Sequence, residues 1–367
     1  MTAQQKHKVI FLLPALTSGG AERVLITFMN NIDRMCFEPH LLCISDHGSI
    51  KGLIDPDLPF YSLKMRNVIF SLPKLYMKLR ELKPDIIVST MAHMNFALLL
   101  LQPFFPRTKF IVREAITPSF VFDRHKYIAP ILKLAYKLLY RRAHIVLSPA
   151  QAIIDEFANN LHMNCSNHYM LHNPVDIDYI RSFPIENPEN NSKRCKTVHF
   201  IAGGRLHRQK GFDRLIRALP DLNMPYDWRL TILGEGSERS NLHQLIQDHN
   251  LQNHVELAGH VQAPWSHYAK ADCFLMPSRW EGLPNAVLES LACGTPVIVT
   301  AQSGGIAEIQ KNAGSDAVNI VQNMDEFIKA MAKIKPSPSS DYRKSLLPDI
   351  YSKTAVVEHF ETVLNNA

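Results

Sequence analysis

MPSRWEGLPNAVLESLACGTPVIVTAQSGGIAE, residues 276–308, contains the clearest succession of loop, helix and strand in this chain. Within it, Pro284 is well placed as the first residue of a helix, because its missing N–H would have no partner there. The helical pattern ends at Gly294, a residue typical of the left-handed position after a helix. The next apolar run, TPVIVT, predicts a buried parallel strand. Ser303-Gly304-Gly305 then opens another helix, so the segment is typical of an α/β domain.

Two carboxylates stand at different places in this segment. Glu281 precedes the helix N-terminus, and Glu289 lies more than one turn inside the helix. A helix N-terminus has free N–H groups and positive partial charge, which stabilise a phosphate. Carboxylates nearby are good acceptors for sugar hydroxyls, so the combination suits a nucleotide-sugar. An ordinary strand–loop–helix unit with two solvated glutamates has the same spacing, which leaves both interpretations open.

The length and composition indicate a soluble two-domain protein. The chain has 367 residues, with 46% hydrophobic and 20% charged residues. No apolar run reaches the roughly 18 residues that span a bilayer. The N-terminal KHKVIFLLPAL resembles a signal peptide, but it lacks a cleavage site and favours a first β-strand.

The cysteines and histidines indicate neither disulfides nor metal binding. None of the cysteines has the spacing of a metal site, and the 17 histidines are scattered singly. We therefore expect free thiols in a reducing cytoplasm and no zinc. The six cysteines are Cys36, Cys43, Cys165, Cys195, Cys273 and Cys293.

Positive charge is concentrated in the first half of the chain. Residues 1–175 contain 20 Lys/Arg against 12 Asp/Glu, and residues 176–367 contain 20 against 22. Within the first half, Tyr127–Arg142 places leucines and lysines at helical spacing. Such a helix can lie on anionic lipid headgroups, although it can equally pack its apolar side on the sheet. No basic run or stacking-aromatic motif favours nucleic acid.

The order of elements predicts two doubly wound parallel sheets. Apolar strands alternate with helices throughout, which requires right-handed crossovers. We place an N-terminal domain at residues 1–170, a hinge at 171–196, a C-terminal domain at 197–345 and a helix crossing back at 346–367. Ligands of such sheets bind at the carboxyl ends of the strands, so the two domains would face each other across a cleft.

Cationic and glycine-rich loops follow two strands of the second domain. Arg205 and Lys210 lie in such a loop, where fixed positive charge would offset a departing diphosphate. A loop with solvated cations is the alternative. Gly234 ends the next strand in a tight turn that fits either packing or the close approach of a base or ribose. The D-x-D triplets at Asp55–Asp57 and Asp176–Asp178 are interpreted as incidental rather than metal-binding.

Four motifs together resemble a known family. They are G-R-x-x-x-x-K-G at Gly204–Gly211, E-G-L-P-N-A-x-L-E at Glu281–Glu289, S-G-G-x-x-E at Ser303–Glu308 and G-G-A-E-R at Gly19–Arg23. The chain is similar, from Gly19 to about Glu308, to the large family four of retaining glycosyltransferases. That resemblance implies the GT-B fold, with two Rossmann-like domains: an acceptor-side domain at residues 1–170 and a nucleotide-sugar-binding domain at residues 197–345.

The resemblance also implies residue roles. Arg205 and Lys210 would bind the donor diphosphate, Glu281 the donor sugar and Glu289 the ribose. Further donor contacts would come from Gly19, Gly20, Gly234, Gly282, Leu283, Pro284 and Asn285. Glu281, Arg205 and Lys210 would carry catalysis.

One position departs from the family pattern. Where many members have a histidine near the sugar, this chain has Arg113-Glu114. Members acting on lipid-linked oligosaccharides can have arginine there. Arg113 and Glu114 are therefore candidates for contact with a donor phosphate or an acceptor pyrophosphate.

These observations lead to one expected activity and two alternatives. We expect a metal-independent, cofactor-free transfer of a hexose or N-acetylhexosamine from a nucleotide diphosphate sugar, with UDP favoured, and retention of configuration. The acceptor would be a lipid-linked glycan in cell-surface polysaccharide synthesis. The enzyme would act as a peripheral protein at the cytoplasmic face of the inner membrane. A GT-B nucleotide-sugar epimerase and a non-catalytic nucleotide- or nucleic-acid-binding protein are the alternatives.

Overall fold

The computed structural model of this chain describes residues 6–17, 19–185, 196–337 and 341–366. It divides into two compact units, which we call the first and the second unit. The first unit comprises Met1–Pro174 and Thr354–Ala367, and the second comprises Val175–Lys353. The hinge expected at residues 171–196 includes the first crossing between them, and its residues 186–195 lie outside the described part.

The first unit contains a seven-stranded parallel sheet with strand order β3-β2-β1-β4-β5-β6-β7. Its strands are β1 (His7–Leu13), β2 (Phe37–Cys43), β3 (Phe60–Ser62), β4 (Ile86–Thr90), β5 (Lys109–Arg113), β6 (Ile145–Ser148) and β7 (His168–Met170). Its helices before the crossing are α1 (Gly20–Asn31), α2 (Leu72–Leu82), α3 (Ala92–Leu101), α4 (Pro118–Arg124), α5 (Ala129–Leu139) and α6 (Gln151–Asn159).

Helices cover both faces of this sheet because its strands are apolar on both sides. Successive side chains of a strand point to opposite faces. In β1, Val9 and Phe11 belong to one buried cluster, and Ile10 and Leu12 belong to the other. Helix α1 packs in the first cluster, and α2, α3 and α5 pack in the second. This is the doubly wound arrangement that the sequence predicts.

The second unit contains a six-stranded parallel sheet with strand order β10-β9-β8-β11-β12-β13. Its strands are β8 (Thr197–Gly203), β9 (Asp227–Leu233), β10 (Val255–Gly259), β11 (Cys273–Met276), β12 (Val297–Thr300) and β13 (Val318–Val321). Its helices are α7 (Ile177–Arg181), α8 (Phe212–Ala218), α9 (Arg239–Asp248), α10 (Trp265–Lys270), α11 (Asn285–Ala292), α12 (Ile306–Ala313) and α13 (Met324–Met331).

A final helix, α14 (Lys353–Asn365), returns the chain to the first unit. It buries Val356, Phe360 and Val363 in the cluster that also contains α1. The ring centroids of Phe360 and Phe28 are 4.5 Å apart. The carboxylate of Glu361 accepts a hydrogen bond from the backbone N–H of Asp33 at 2.6 Å. Helix α14 is therefore part of the hydrophobic core of the first unit.

The structure agrees with the expected conformation of the 276–308 segment except at one helix end. Gly294 adopts φ +78°, the left-handed conformation expected after α11. Helix α11 begins at Asn285, so Pro284 caps it instead of being its first residue. The short strands β3, β7 and β13 have no counterpart in the sequence-based interpretation, because three or four residues are too few for a recognisable period. In the described ranges, no helix has the length and apolar character needed to cross a bilayer.

Candidate active site

Two loops of the second unit meet at the carboxyl edge of its sheet. The first loop follows β8 and contains Lys210, and the second follows β11 and contains Glu281. Strands β8 and β11 are neighbours where the strand order reverses, the usual ligand position in an open α/β sheet. Lys210 Nζ lies 2.7 Å from Glu281 Oε1, and their side chains are only 18% and 10% exposed. The structure thus brings two of the three expected catalytic residues into direct contact.

The Glu281 carboxylate retains an unused oxygen. Oε1 accepts hydrogen bonds from Lys210 Nζ and from Ser278 Oγ, at 2.7 Å and 2.9 Å. No described residue forms a hydrogen bond to Oε2. An ionised carboxylate accepts several hydrogen bonds, so Oε2 is available to a ligand hydroxyl. The lysine fixes the orientation of the carboxylate and supplies positive charge beside it.

The loop after β11 is held from one side by α8. Arg214 donates from Nε to the carbonyl of Pro277 at 2.8 Å and from Nη2 to the carbonyl of Ser278 at 2.7 Å. Arg279 forms a bidentate ion pair with Asp213, with distances of 2.6 Å and 2.7 Å. Burial alone raises the pKa of Asp213, but the hydrogen bonds and charge of Arg279 lower it overall. These contacts fix the backbone on which Glu281 stands.

Three glycines allow this loop to touch its neighbours. Gly304 adopts φ +57°, and a Cβ there would lie 2.1 Å from the carbonyl oxygen of Glu281. Gly305 donates its N–H to the carbonyl of Gly282 at 2.7 Å. On the other side, a Cβ on Gly211 would lie 2.0 Å from the carbonyl oxygen of Pro277. At Gly304 and Gly211, only a residue without a side chain permits such close backbone approach.

The glycines after β8 and β9 are required for packing between loops. Gly204 and Gly234 adopt φ +146° and +144°. A Cβ on Gly234 would lie 2.0 Å from the carbonyl oxygen of Gly204. A Cβ on Gly204 would lie 2.8 Å from Cε of Lys210. Gly234 therefore packs against Gly204, and the missing side chain of Gly204 leaves room for Lys210. The expected contact of Gly234 with a base or ribose stays a prediction.

Glu289 and Arg205 contribute in different ways. Glu289 lies in the second turn of α11 and accepts a hydrogen bond from Nε1 of Trp265 at 3.2 Å. Gly282, Leu283 and Pro284 are buried in the loop before that helix, and Asn285 begins it. Arg205 is exposed, and its side chain forms neither a hydrogen bond nor an ion pair within the described part of the chain. Its guanidinium is thus free to meet an anion.

In the first unit, Gly19 and Gly20 lie at the beginning of α1, next to the carboxylate of Glu22. Gly19 caps this helix, and a Cβ there would lie 2.1 Å from an oxygen of Glu22. Glu22 is buried and accepts a hydrogen bond from Thr17 Oγ1 at 2.6 Å. The backbone at Gly19 is therefore close to negative charge. Ser18, which precedes these glycines, lies outside the described residues.

Arg113 and Glu114 form a buried charged pair at the carboxyl end of β5. Arg113 is 1% exposed, and its Nη2 donates to Oδ1 of Asn173 at 2.5 Å. Its Nε and Nη1 are buried without a hydrogen-bond partner among the described residues. Glu114 is fully buried, with one oxygen bonded by Tyr136 and Tyr140 and the other without a partner in the same part of the chain. Unused hydrogen-bonding groups in such a position are costly unless a ligand or water satisfies them.

Burial shifts the pKa values of this pair in opposite directions. It lowers the pKa of Arg113 to about 10, an effect that the charge of Glu114 opposes. It raises the pKa of Glu114 to about 7, despite the hydrogen bonds from Tyr140 and Tyr136 and the charge of Arg113. The cause is desolvation, which disfavours the charged form of each group.

The two D-x-D triplets have structural partners. Asp55 pairs with Arg34 at 2.8 Å and accepts a hydrogen bond from the N–H of Asp57. Asp176 caps α7 and pairs with Lys353 at 2.7 Å. Within the described ranges, no three His, Cys, Asp or Glu side chains come together as a possible metal site. The five cysteines placed there are free thiols, and Cys195 lies outside those ranges.

Several residues that support the site are absent from the sequence-based interpretation. Ser278 and Arg279 adjoin the Glu281 motif, so their proximity in the chain was a usable signal. Arg214 and Trp265 lie far from Glu281 and Glu289 in sequence, at the starts of other helices. Only the folded sheet brings them to these glutamates, so no local pattern could have identified them.

Two parallel, doubly wound sheets, with a cationic loop and an acidic loop at the carboxyl edge of the second, are the arrangement found in glycosyltransferases of the GT-B class. Two family models match the chain: Glycosyltransferase Family 4 over residues 18–179 and Glycosyl transferases group 1 over residues 185–346. The chain belongs to this family of group 1, family 4 glycosyltransferases.

Individual relatives agree with this assignment. N-acetylgalactosamine-N,N'-diacetylbacillosaminyl-diphospho-undecaprenol 4-alpha-N-acetylgalactosaminyltransferase of Campylobacter jejuni is 28% identical over 330 residues, covering 87% of each chain. An uncharacterized glycosyltransferase of Methanocaldococcus jannaschii is 32% identical over 281 residues, covering 71% of this chain and 68% of its own. The crystal structure of Anabaena HepE in complex with UDP has the same fold, with a TM-score of 0.76 at 18% identity, covering 98% of this chain and 100% of that one.

Proposed function

We propose that this glycosyltransferase moves a hexose or N-acetylhexosamine from a UDP-sugar to a lipid-linked glycan, with retention of configuration. The observation that carries the proposal is the Lys210–Glu281 pair at the carboxyl edge of the second sheet, with Glu281 Oε2 unused. The acceptor class is supported by the Campylobacter relative, whose name specifies a diphospho-undecaprenol substrate. The UDP of the Anabaena complex supports the choice of nucleotide.

The donor would be held by groups of opposite charge. Lys210 and the unpaired guanidinium of Arg205 bind the diphosphate, assisted by the backbone N–H groups at the start of α11. Glu281 Oε2 accepts a hydrogen bond from a sugar hydroxyl, and Glu289 accepts one from the ribose. Gly19 and Gly20 approach the sugar-phosphate, and Arg113 with Glu114 contacts a phosphate of the donor or acceptor. These roles follow from the family resemblance.

The proposed chemistry depends on stabilising the leaving group. As the bond between the anomeric carbon and the phosphate oxygen breaks, negative charge grows on the diphosphate, and Arg205 and Lys210 stabilise it. The acceptor hydroxyl attacks from the same face and passes its proton to the departing phosphate oxygen. Retention then needs no carboxylate nucleophile, unlike the paired acids of a retaining glycosidase. With two fixed cations at the diphosphate, this mechanism requires neither a metal nor a cofactor.

We further propose that the enzyme works as a peripheral protein on the cytoplasmic face of the inner membrane. Helix α5 buries only Tyr136 completely, while Ile131, Leu134 and Leu138 are 66%, 55% and 53% exposed. Tyr127, just before the helix, is fully exposed. Lysines 133 and 137 lie on the same helix. An exposed apolar face bordered by lysines suits an anionic lipid surface.

A donor panel with matched lysine variants tests the proposal. Because Lys210 is proposed to bind the diphosphate, UDP should raise the melting temperature of Lys210→Ala much less than that of the wild type. Lys329→Ala, which changes an exposed lysine on α13, should be stabilised by UDP as much as the wild type. UDP release from a UDP-hexose or UDP-N-acetylhexosamine should require a detergent extract of lipid-linked glycans. We expect Lys210→Ala and Glu281→Ala to reduce that release by about 100-fold or more.

Other results would refute parts of the proposal. Greater stabilisation by GDP than by UDP would contradict the choice of base. Near wild-type turnover of Lys210→Ala or Glu281→Ala would contradict the assigned site. Conversion of the donor sugar without any acceptor would indicate an epimerase.

A further inference from the structure

Trp265 contacts one of the two carboxylates that are assigned to the donor. It is the first residue of α10, and its side chain is buried. Its Nε1 donates a hydrogen bond to Oε2 of Glu289 at 3.2 Å. An indole N–H is a donor only, so the carboxylate oxygen must be the acceptor. A buried residue of one helix therefore orients a partly exposed carboxylate of another helix.

The indole of Trp265 is itself held in place. Its ring centroid lies 4.9 Å from that of Phe183 and 5.4 Å from that of Tyr179, in tilted and edge-to-face arrangements that are favourable for aromatic pairs. The backbone carbonyl of Trp265 accepts a hydrogen bond from Sγ of Cys293 at 3.5 Å. Burial, and then the charge of Glu289, raise the pKa of the Cys293 thiol, so this donor keeps its proton. The N–H of Trp265 therefore reaches Glu289 from a fixed position.

The two assigned carboxylates are oriented by different kinds of donor. Glu281 is paired with the cation of Lys210, whereas the donor to Glu289 is the neutral N–H of Trp265. A neutral donor orients a carboxylate without cancelling its charge, and an ionised carboxylate accepts several hydrogen bonds. A glutamate side chain has several free torsions, and ordering them on binding weakens the affinity for a ligand. A carboxylate that is oriented in advance therefore binds hydroxyl groups more strongly.

We propose that Trp265 is a positioning residue for the donor, whose N–H holds Glu289 in the orientation in which its carboxylate accepts hydrogen bonds from the ribose hydroxyls. This inference rests on the proposed function, in which Glu289 binds the ribose, and it adds the residue that sets how strongly those hydroxyls contribute to binding. Trp265 thereby determines the preference for ribonucleotides over deoxyribonucleotides. A tryptophan that only filled space would support the binding of both kinds of nucleotide equally.

Calorimetric titration of the full chain with UDP and with its dideoxyribose analogue tests this assignment. The two ligands share the base and the diphosphate and differ only in the ribose hydroxyls. The wild type should bind UDP more tightly by about tenfold or more, the effect of hydrogen bonds to a charged group. Trp265→Phe keeps an aromatic ring but lacks the N–H, so it should weaken UDP by about fivefold or more and the analogue by about twofold at most. Trp228→Phe, the same change at a buried tryptophan of β9, should keep the wild-type preference.

A spectroscopic measurement on the unsubstituted chain covers the case in which Trp265→Phe does not fold. The chain has three tryptophans, Trp228, Trp265 and Trp280, so ¹⁵N-labelled tryptophan gives three indole N–H signals in a nuclear magnetic resonance spectrum. Trp228→Phe and Trp280→Phe assign the signal of Trp265 by elimination. UDP should shift this signal more than the analogue does, because only UDP has hydroxyls that bond the carboxylate to which Trp265 donates. Equal shifts with the two ligands would contradict the inference.

The outcomes separate this inference from the proposed function. If the wild type prefers UDP and Trp265→Phe keeps that preference, the inference is overturned while the ribose role of Glu289 stands. Equal weakening of both ligands in Trp265→Phe would overturn it as well, by indicating a packing role only. If the wild type bound both ligands equally, the ribose role of Glu289 would fail together with the inference. If the wild type bound neither ligand, the proposed donor site would fail, and the inference with it.

Discussion

At the scale of single residues, Glu114 combines complete burial with a carboxyl group that titrates near neutrality. Its pKa is raised to about 7 chiefly by desolvation, although Tyr140, Tyr136 and Arg113 favour the charged form. In the unfolded chain the same group titrates near its ordinary value of about 4.3. The folded state thus binds the proton more tightly between these two values. The stability that protonated Glu114 contributes to the folded state is therefore fully present below about pH 4.3. It is lost as the pH rises through the folded-state pKa of about 7.

Glu114→Gln should therefore change how stability depends on pH. The amide retains an oxygen for the tyrosine hydroxyls but does not ionise. Between pH 5 and pH 8, we expect the free energy of unfolding of the variant to rise by roughly 2–3 kcal/mol relative to that of the wild type, in line with the size of the pKa shift. Urea unfolding followed by far-UV circular dichroism at several pH values measures this. As a control, Glu358→Gln changes an exposed residue of the same unit, and its curve of stability against pH should be parallel to that of the wild type. A parallel curve for Glu114→Gln would contradict the raised pKa of Glu114.

Residue identities in the site were predictable where a motif specified them. Lys210, Glu281 and Glu289 stand in motifs whose spacing and type suggested their chemistry, and the structure brings Lys210 to Glu281. Which group touches Glu289 was not predictable, because Trp265 reaches it from a separate helix. Pairing of distant side chains depends on the fold and leaves no local trace.

At the scale of elements, the turn at Gly304 determines where the Glu281 loop can lie. Gly304→Ala should destabilise the second unit by about 1–3 kcal/mol, because an alanine meets both an unfavourable φ and the carbonyl of Glu281 at 2.1 Å. It should also weaken UDP binding, since the loop must move. Thermal unfolding and UDP titration measure the two effects.

Two other glycines serve as controls for that substitution. Gly314→Ala introduces a residue at φ +89° into open space, so it tests the conformational cost alone. Gly52→Ala meets no atom within 4 Å and should be close to neutral. If Gly304→Ala were no worse than Gly314→Ala and bound UDP normally, the close approach to Glu281 would not matter.

Helix α5 provides a second prediction at this scale. Ile131→Ser, Leu134→Ser and Leu138→Ser together should abolish sedimentation with vesicles of phosphatidylethanolamine and phosphatidylglycerol, because each apolar side chain contributes about 1–2 kcal/mol to membrane binding. Lys133→Gln with Lys137→Gln should weaken it by about 1 kcal/mol per lysine at low salt. Met35→Ser, at a residue 74% exposed elsewhere in the first unit, should leave sedimentation unchanged. Unchanged sedimentation of the triple variant would exclude α5 as the contact.

The pattern of Tyr127–Arg142 predicted an amphipathic helix but left its apolar side unassigned between sheet and lipid. The structure assigns Tyr136 and Tyr140 to the core and leaves Ile131, Leu134 and Leu138 exposed. Leu132 and Leu139 pack against the same cluster as the two tyrosines, so only part of the apolar surface of α5 is covered. Periodicity identifies an apolar face without saying how much of it the neighbouring helices can cover.

At the scale of the whole molecule, the chain crosses between the units twice, and α14 completes the first unit from the far end of the sequence. Phe360→Ala should destabilise the first unit by about 3–5 kcal/mol, because it leaves a cavity beside Phe28 and Phe11. The affinity for UDP should change little while the first unit remains folded, since the charged groups assigned to the diphosphate and ribose, Arg205, Lys210 and Glu289, belong to the second unit.

Denaturant unfolding with two probes checks this separation. The three tryptophans, Trp228, Trp265 and Trp280, all lie in the second unit, so their fluorescence reports on that unit alone. We expect Phe360→Ala to shift part of the circular dichroism transition to lower denaturant while the fluorescence transition stays in place. His359→Ala, exposed on the same helix, should change neither. A matching shift in fluorescence would mean that the units unfold as one.

The amino-acid sequence by itself determined the alternation of strands and helices, the left-handed glycine after α11, and the acidic and cationic residues beside the strand ends. Each of these depends on local chemistry: apolar period, backbone freedom, and the side chain placed after a strand. The tertiary structure alone decided that Lys210 pairs with Glu281, that Arg214 and Gly304 hold their loop, and that α14 joins the first core. Those contacts join residues far apart in the chain, and only a packed parallel sheet gathers its strand ends at one edge.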